Sequence, residues 1–306
     1  PVISNSETLK SLFIKNGVLK KSGGLFINKD FSSFLEQFIY EDPEEFYKHE
    51  VCPLLYNTIK GGGIISLKNL QEYTPETRAP LTTQYHNHTI FMNPHPSTGG
   101  ALVAEGLKEL NKLTAVSKQD LERALYKMRI IKEKDMVGST THLSVMDKKN
   151  NVASVTTTNG VGAGFLIPGT GIMPNNMLGE KHLNIHGFHK WESKQRIPSN
   201  ICPTLMVDNN DKLTVLGSAG SSRIISALTS VITNLINGKM TLEAAISSPR
   251  IHLEGEILHC EPTISPTKYQ TKDLVLWEEK SMYFGGVNAC SFSESSADER
   301  RDGFSV

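Results

Sequence analysis

The segment Gly138-Ser-Thr-Thr-His-Leu-Ser-Val-Met-Asp147 brings together residue types suited to acyl-group chemistry. Thr140 and Thr141 head a run in which Leu143 and Val145 alternate with Ser144 and Met146, the pattern of a half-buried strand. A hydroxyl at the head of a rigid strand becomes a nucleophile when cleavage of the chain before it frees its own α-amine as the base. In the intact chain the Thr140 hydroxyl would attack the Ser139 carbonyl and shift the peptide to an ester. Water would then release Thr140 as a new N-terminus. A free α-amine has a pKa of about 7.7–8.0, so a useful fraction is neutral at physiological pH and can take the hydroxyl proton. Thr pairs are also ordinary strand material, and by itself this pair is compatible with either role.

A tetrahedral oxyanion needs donors, and Gly217-Ser-Ala-Gly-Ser-Ser222 is the segment that offers them. It lies between a strand pattern and a helix pattern. Glycine permits positive φ there, so successive N–H groups of this segment can converge at the positive end of the following helix. Taken alone, such a loop is more often a plain strand-to-helix turn. Histidines suggest a metal in two places: His86, His88 and His95, and His182, His186 and His189. Neither group has cysteine partners or a His-Glu-x-x-His helix, so loop histidines are expected, with no metal and no organic cofactor.

These groups need a scaffold. Asp147-Lys-Lys-Asn-Asn151 turns the chain, and Val152-Ala-Ser-Val-Thr-Thr-Thr158 returns as a second strand. Upstream, residues 6–60 read as helices. Leu9, Leu12 and Phe13 share a face, Asp30 is placed to cap a helix striped by Phe31, Phe34, Leu35 and Phe38, and Pro43 opens another that Gly61-Gly-Gly63 ends. Residues 80–92 alternate as a strand; Ser97 or Thr98 would cap a helix around 102–113, and a further helix is expected over 119–134. Downstream, strands at 203–207 and 213–216 flank an Asp208-Asn-Asn-Asp211 turn. An amphipathic helix over 224–236 closes at Asn237-Gly238, another begins at Thr241, and strands follow near 251–258 and 285–292. Helices before Thr140 and strand-strand-helix blocks after it fit an α/β (α+β) fold, a four-layer αββα sandwich.

Composition excludes several classes. The 306 residues are 38% hydrophobic and 21% charged, enough to bury a sizeable core. Formal net charge is zero, so there is no electrostatic case for nucleic acid or an acidic membrane surface. No apolar run of about 18 residues exists, and no membrane span is expected. Cys52, Cys202, Cys260 and Cys290 are scattered without pairing motifs, which reads as core thiols in a reducing compartment. The visible chain therefore favours a cytoplasmic location; a secreted or periplasmic one would require a leader, and the chain begins at Pro1.

Several motifs, in order, resemble the gamma-glutamyltranspeptidase family. They are Thr140-Thr-His-Leu-Ser-Val145, Val155-Thr-Thr-Thr-Asn159, Gly169-Thr-Gly-Ile-Met-Pro-Asn-Asn176, Pro203-Thr204, Gly217-Ser-Ala-Gly-Ser-Ser-Arg-Ile224 and Phe284-Gly-Gly-Val287. The resemblance implies an N-terminal nucleophile hydrolase that cleaves itself between Ser139 and Thr140. Residues 1–139 would be the mostly helical large-subunit part, incomplete at its N-terminus, and 140–306 the catalytic small-subunit part, both in one compact domain. It also implies Thr140 as nucleophile, Thr158 beside it, Gly220 and Ser221 as oxyanion donors, and Asn159, Glu180, Ser199 and Asn200 as substrate contacts. The expected partners are a small gamma-glutamyl or other acyl-amide substrate, an amine or water acceptor, and the two self-cleaved fragments bound to each other, with a homo-oligomer as an open alternative. Three departures stand out. Ser221 replaces a second glycine, Met177 replaces a polar residue after Asn175-Asn176, and the loop after Asn159 is short. An Arg in Arg300-Arg-Asp-Gly303, the family's closing motif, is placed either to reach an acidic substrate or to form a solvated charge cluster. Two alternatives to glutamyl transfer follow: an acylase of the cephalosporin-acylase type acting on non-glutamyl amides, and a non-catalytic homologue that binds a partner.

Overall fold

The computed structural model describes residues 3, 6–21, 23–61, 65–128, 140–180, 183–184, 187–192, 194–265, 271 and 273–306. The chain divides into two compact units, Pro1–Thr77 with Val161–Met177, and Arg78–Gly160 with Leu178–Val306.

The first unit is a set of short, individually capped helices. In α1 (Glu7–Phe13) the Ser6 hydroxyl accepts from Leu9 N, and the chain then makes a small hairpin of β1 (Ile14–Lys15) and β2 (Val18–Leu19). Helix α2 (Lys29–Tyr40) is capped by Asn28 rather than Asp30, because the Asn28 side chain accepts from Phe31 N and donates to the Gly171 carbonyl at 2.9 Å. Its aromatic stripe is half-exposed: Phe34 and Phe38 lean on Phe46, but no residue of α2 is fully buried. Pro43 opens α3 (Pro43–Phe46) under an Asp42 cap, and a wide turn over Tyr47–Val51 leads into α4 (Cys52–Ile59). A reciprocal Ser66–Asn69 capping box starts α5 (Leu67–Gln71).

The second unit holds the main core. Residues 80–92 are a hairpin, β3 (Leu81–Tyr85) and β4 (His88–Met92), because His86 takes a left-handed φ of 49° and folds the expected single strand in two. Helices α6 (Gly99–Leu110) and α7 (Lys118–Met128) follow. Next come β5 (Thr140–Met146) and β6 (Val152–Thr158), an antiparallel pair with Thr140 opposite Thr158. The Asp147 carboxylate accepts from Lys149 N and Asn151 N and so builds their turn. Strands β7 (Thr204–Asp208) and β8 (Leu213–Ala219) lead into α8 (Arg223–Ile236) and α9 (Leu242–Ser247). The chain ends through β9 (Ile251–Glu254), β10 (Ile257–Cys260), β11 (Asp273–Leu276), β12 (Gly286–Ser291) and β13 (Ser295–Ser296).

A six-stranded antiparallel sheet in the order β13-β12-β8-β7-β4-β3 is the centre of this unit. Helices α6, α8 and α9 pack on one face, with α7 against α6, and the β5–β6 sheet packs across β8 and β12 on the other. Neighbouring residues of β8 serve the two sides: Leu216 joins the helix-side core, while Gly217 meets the hairpin. Helix α8 is amphipathic as expected, but its polar face is covered too: every residue from Arg223 to Thr233 is buried. Three of its polar side chains bond within the helix: Ser226 Oγ donates to Arg223 O, Thr229 Oγ1 to Ile225 O and Thr233 Oγ1 to Ser230 O. It closes at Asn237 as expected, while Lys239 (φ 52°), not Gly238, takes the left-handed position.

The β5–β6 alternation is real but inverted. The polar set Thr140, His142, Ser144, Ser154, Thr156 and Thr158 faces the large sheet, while Leu143, Val145 and Val155 are 57%, 45% and 45% exposed. The facing surface of the large sheet explains this. It presents backbone carbonyls and Gly217, which hydroxyls and an imidazole fill better than branched aliphatics: Ser154 Oγ donates to Leu216 O at 3.1 Å and Ser144 Oγ to Asn288 O at 3.2 Å.

Candidate active site

Thr140 is the first residue of β5 and is only 6% exposed. Its Oγ1 donates to Thr158 Oγ1 at 3.2 Å, and Thr158 Oγ1 also accepts from Gly160 N at 3.1 Å. Strand pairing brings these two hydroxyls together, since Thr140 and Thr158 are direct cross-strand partners. Ser139 and the residues before it back to 129 lie outside the described residues.

Two residues along the same face, His142 anchors the strand to β8. The Ser144 hydroxyl gives its proton to Asn288 O, so its oxygen accepts from His142 Nε2–H at 2.9 Å, and Nδ1 accepts from Thr156 Oγ1 at 2.8 Å. Burial lowers the imidazole pKa to about 4, which keeps it neutral. A Cβ on Gly217 would sit 2.2 Å from His142 Cε1, so only glycine allows this approach. Asn288 Nδ2 closes the contact by donating to His142 O at 3.0 Å. From Ser144 and Ser154 to His142 and Thr156, the inward residues step from Leu216 O to Gly217. His142 was readable as facing the same way as Thr140 from strand period alone, but its partners on β8 and β12 were not.

The bend after β8 carries Gly220 at φ 129° and Ser221 at φ 57°. A Cβ on Gly220 would approach Gly285 Cα to 2.8 Å, so this glycine is obligatory. Ser221 lies in the left-handed region that non-glycine residues reach at modest cost, so the exchange of the family's second glycine for serine is compatible with the turn. The helix begins tightly, with Arg223 N donating to Gly220 O and Ile224 N to Ser221 O. The Ser222 side chain makes no cap.

Each expected substrate contact has its own local setting. Asn159 is exposed beside Thr158. Glu180 is buried at 8% exposure, and its carbonyl accepts from Asn184 Nδ2. Ser199 and Asn200 are held against the start of α6: the Ser199 carbonyl accepts from Ser97 Oγ and Thr98 N, and Asn200 Oδ1 accepts from Thr98 Oγ1 at 3.0 Å. The hydroxyls of Ser97 and Thr98 are thus spent on this segment and not on capping α6. Arg300 neither faces a substrate nor forms a solvated cluster. Its side chain is fully buried, bonded to both Glu261 oxygens at 2.6 Å and to Asp298 at 3.1 Å. Among the described residues there is no cluster of three or more His, Cys, Asp or Glu side chains placed to hold a metal. His182 and His186 lie outside the described residues. All four cysteines are buried and free, and no described helix is long and apolar enough to cross a membrane.

The model of the gamma-glutamyltranspeptidase family matches residues 1–133 and 108–304. The chain belongs to the gamma-glutamyltranspeptidase family. Among relatives, the glutathione hydrolase proenzyme of Escherichia coli (strain K12) is 24% identical over 318 residues, 82% of this chain and 55% of the relative. The acylase ACY 1 proenzyme of Pseudomonas sp. (strain V22) is 26% identical over 342 residues, 93% of this chain and 61% of the relative. The chain thus spans little more than half the length of these curated relatives. A cephalosporin acylase from Bacillus halodurans has the same fold, with a TM-score of 0.77 at 19% identity over 97% of this chain and 66% of that one. The likeness establishes an α/β fold of the N-terminal nucleophile hydrolase type, with stacked antiparallel sheets backed by helices.

Proposed function

We propose that this member of the gamma-glutamyltranspeptidase family is a threonine-nucleophile amidohydrolase and acyltransferase, made active by self-cleavage before Thr140. The observation that carries the reading is the pair of apposed hydroxyls at the head of β5, Thr140 donating to Thr158 at 3.2 Å in a buried position. In the first reaction Thr140 Oγ1 attacks the Ser139 carbonyl carbon, the C–N bond breaks, and the acyl group moves to oxygen. Hydrolysis of that ester leaves a Ser139 carboxylate and a free Thr140 amine. In the second reaction that amine takes the Oγ1 proton as oxygen attacks the substrate amide, while the N–H groups of Gly220 and Ser221 face the tetrahedral oxyanion. The proton passes to the leaving amine. Water or an acceptor amine then releases the acyl group from Thr140. Thr158 orients the attacking hydroxyl, and Asn159, Glu180, Ser199 and Asn200 are the candidate substrate contacts. The active unit is residues 1–139 held to 140–306.

A gamma-glutamyl compound is the first choice of substrate, supported by the family and by glutathione hydrolase relatives. A non-glutamyl acyl amide is the second reading, favoured by the acylase relative that matches 93% of the chain and by Met177 in place of a polar residue. The purified protein is expected to yield a fragment beginning Thr140-Thr-His by N-terminal sequencing. Thr140→Ala should stay in one piece and be inactive; a Thr140→Ala protein that still cleaved there would refute the nucleophile. Rates on a gamma-glutamyl anilide against a glutaryl anilide separate the two substrate classes.

A further inference from the structure

The bend at Gly220–Ser221 has a buttress. Gly285, at φ 74°, lies against it: a Cβ on Gly285 would come within 3.0 Å of Ala219 O, and one on Gly220 within 2.8 Å of Gly285 Cα. The two backbones therefore touch without side chains between them, and any shift of one moves the other. Gly285 ends a short helical turn, Met282–Phe284, capped by Ser281.

That turn is gripped from two directions. On one side Arg250 Nη1 donates to Phe284 O at 3.4 Å and Gly285 O at 3.1 Å. On the other, the Arg223 guanidinium sits 4.1 Å over the Tyr283 ring, and the Tyr283 hydroxyl donates to Glu254 Oε2 at 2.6 Å. Glu254 also faces Arg223 at 3.5 Å, with both side chains nearly excluded from solvent. Trp277 stacks on Tyr283 at 4.8 Å and His259 lies at 4.7 Å from it. Arg223 is the first residue of α8, where the helix dipole opposes a cation. A buried cation there needs compensation, and Glu254 on β9 and the Tyr283 π face supply it. Burial and the neighbouring Glu254 carboxylate hold the Tyr283 phenol well above its ordinary range, so it remains a donor at any working pH.

We infer that Arg223, Glu254 and Tyr283 form a positioning clamp that fixes the Met282–Gly285 turn against Gly220 and thereby aims the Gly220 and Ser221 amides. These residues touch no reacting atom. Their effect on rate rests on the acyl-transfer reading above, whereas their effect on the bend does not. A preorganised donor pair acts only if its direction is fixed before the charge appears, and a bend of one glycine and one left-handed serine does not fix itself.

The test uses the full chain with Tyr283→Phe and Glu254→Gln. Phenylalanine keeps the ring on Trp277 and removes only the hydroxyl, so folding is preserved; Lys280→Ala removes the exposed Lys280–Glu299 pair near the same turn and serves as control. Amide hydrogen exchange is followed by mass spectrometry on peptides covering residues 216–224, and kcat and KM on the anilide that the wild type prefers. Both clamp variants should exchange about tenfold faster over 220–222 and lose about tenfold in kcat with KM within about twofold, while Lys280→Ala changes neither. Unchanged exchange in both clamp variants, or an equal change in Lys280→Ala, overturns the clamp. A wild type that turns over no anilide counts against the proposed activity, and the exchange comparison still decides the clamp.

Discussion

Two hydroxyls and two positive φ angles carry most of the chemistry at the scale of single residues. Thr158 Oγ1 accepts from both Thr140 Oγ1 and Gly160 N, so its removal leaves the Thr140 hydroxyl without its acceptor. One hydrogen bond is worth about 1 kcal/mol net. Thr158→Ala should therefore lower kcat about fivefold in steady-state assays, with Thr158→Ser recovering most of it. Ser221 makes a different prediction. Relief of its left-handed backbone, about 1–2 kcal/mol, is offset by the extra unfolded-state freedom of glycine, about 0.5–1 kcal/mol. Ser221→Gly should accordingly be neutral to slightly stabilising in thermal unfolding and keep its turnover, whereas β-branched Ser221→Val should lose both.

Between elements, the decisive contact is the polar layer where β5 and β6 meet β8 and β12. Hydrophobic sheets stack through aliphatic side chains, but here an imidazole bonded to two hydroxyls lies on Gly217. Such a layer is stable only while every partner is satisfied. Burial holds the His142 pKa at about 4, below the ordinary value of about 6.5. Between these values the unfolded chain takes up a proton that the folded chain refuses, so stability rises with pH across that window and is full above it. At about 1.4 kcal/mol per pH unit the whole effect is on the order of 3 kcal/mol. Burial lowers the pKa of His252 as well, with Arg223 and His259 adding to the effect, and this adds to the same slope. His142→Asn should flatten denaturant-derived stability between pH 4 and 6.5 relative to wild type, and that difference isolates His142.

For the molecule as a whole, two arginines and two acids tie the C-terminal third of the second unit together. Asp298 accepts from Arg250 at 2.6 Å and from Arg300 at 3.1 Å, and the two Glu261 oxygens accept from Arg300 Nε and Nη2 at 2.6 Å. Asp298 Oδ2 accepts from Val287 N as well, so one carboxylate joins β12 to the segment after α9. Burial alone would raise the Asp298 pKa, but Arg250 and Arg300 hold it below the usual range. Removing one member leaves buried charge unpaired, at about 3–5 kcal/mol. Asp298→Ala should lose that much in chemical denaturation, far more than an exposed pair such as Lys280–Glu299 at about 0–1 kcal/mol.

The β5–β6 hairpin, the position of Thr140 at its head and the strand-to-helix bend at Gly217–Ser222 were legible in the sequence. Each depends on local chemistry: period-two alternation, Asp-Asn turns, and glycine where a backbone must take positive φ. Tertiary packing decided the rest. Which face of β5 turns inward depends on the carbonyls and glycine of a strand about 70 residues away, so Leu143 and Val145 ended outside. Helix α8 has the polar stripe its sequence shows, yet that stripe is buried as well, with Ser226 and Thr229 bonding back to their own helix. Arg300 resembled a surface charge until Glu261 and Asp298 came to it from elsewhere in the chain. Burial and charge pairing are properties of neighbours, and neighbours distant in sequence exist only after the chain has folded.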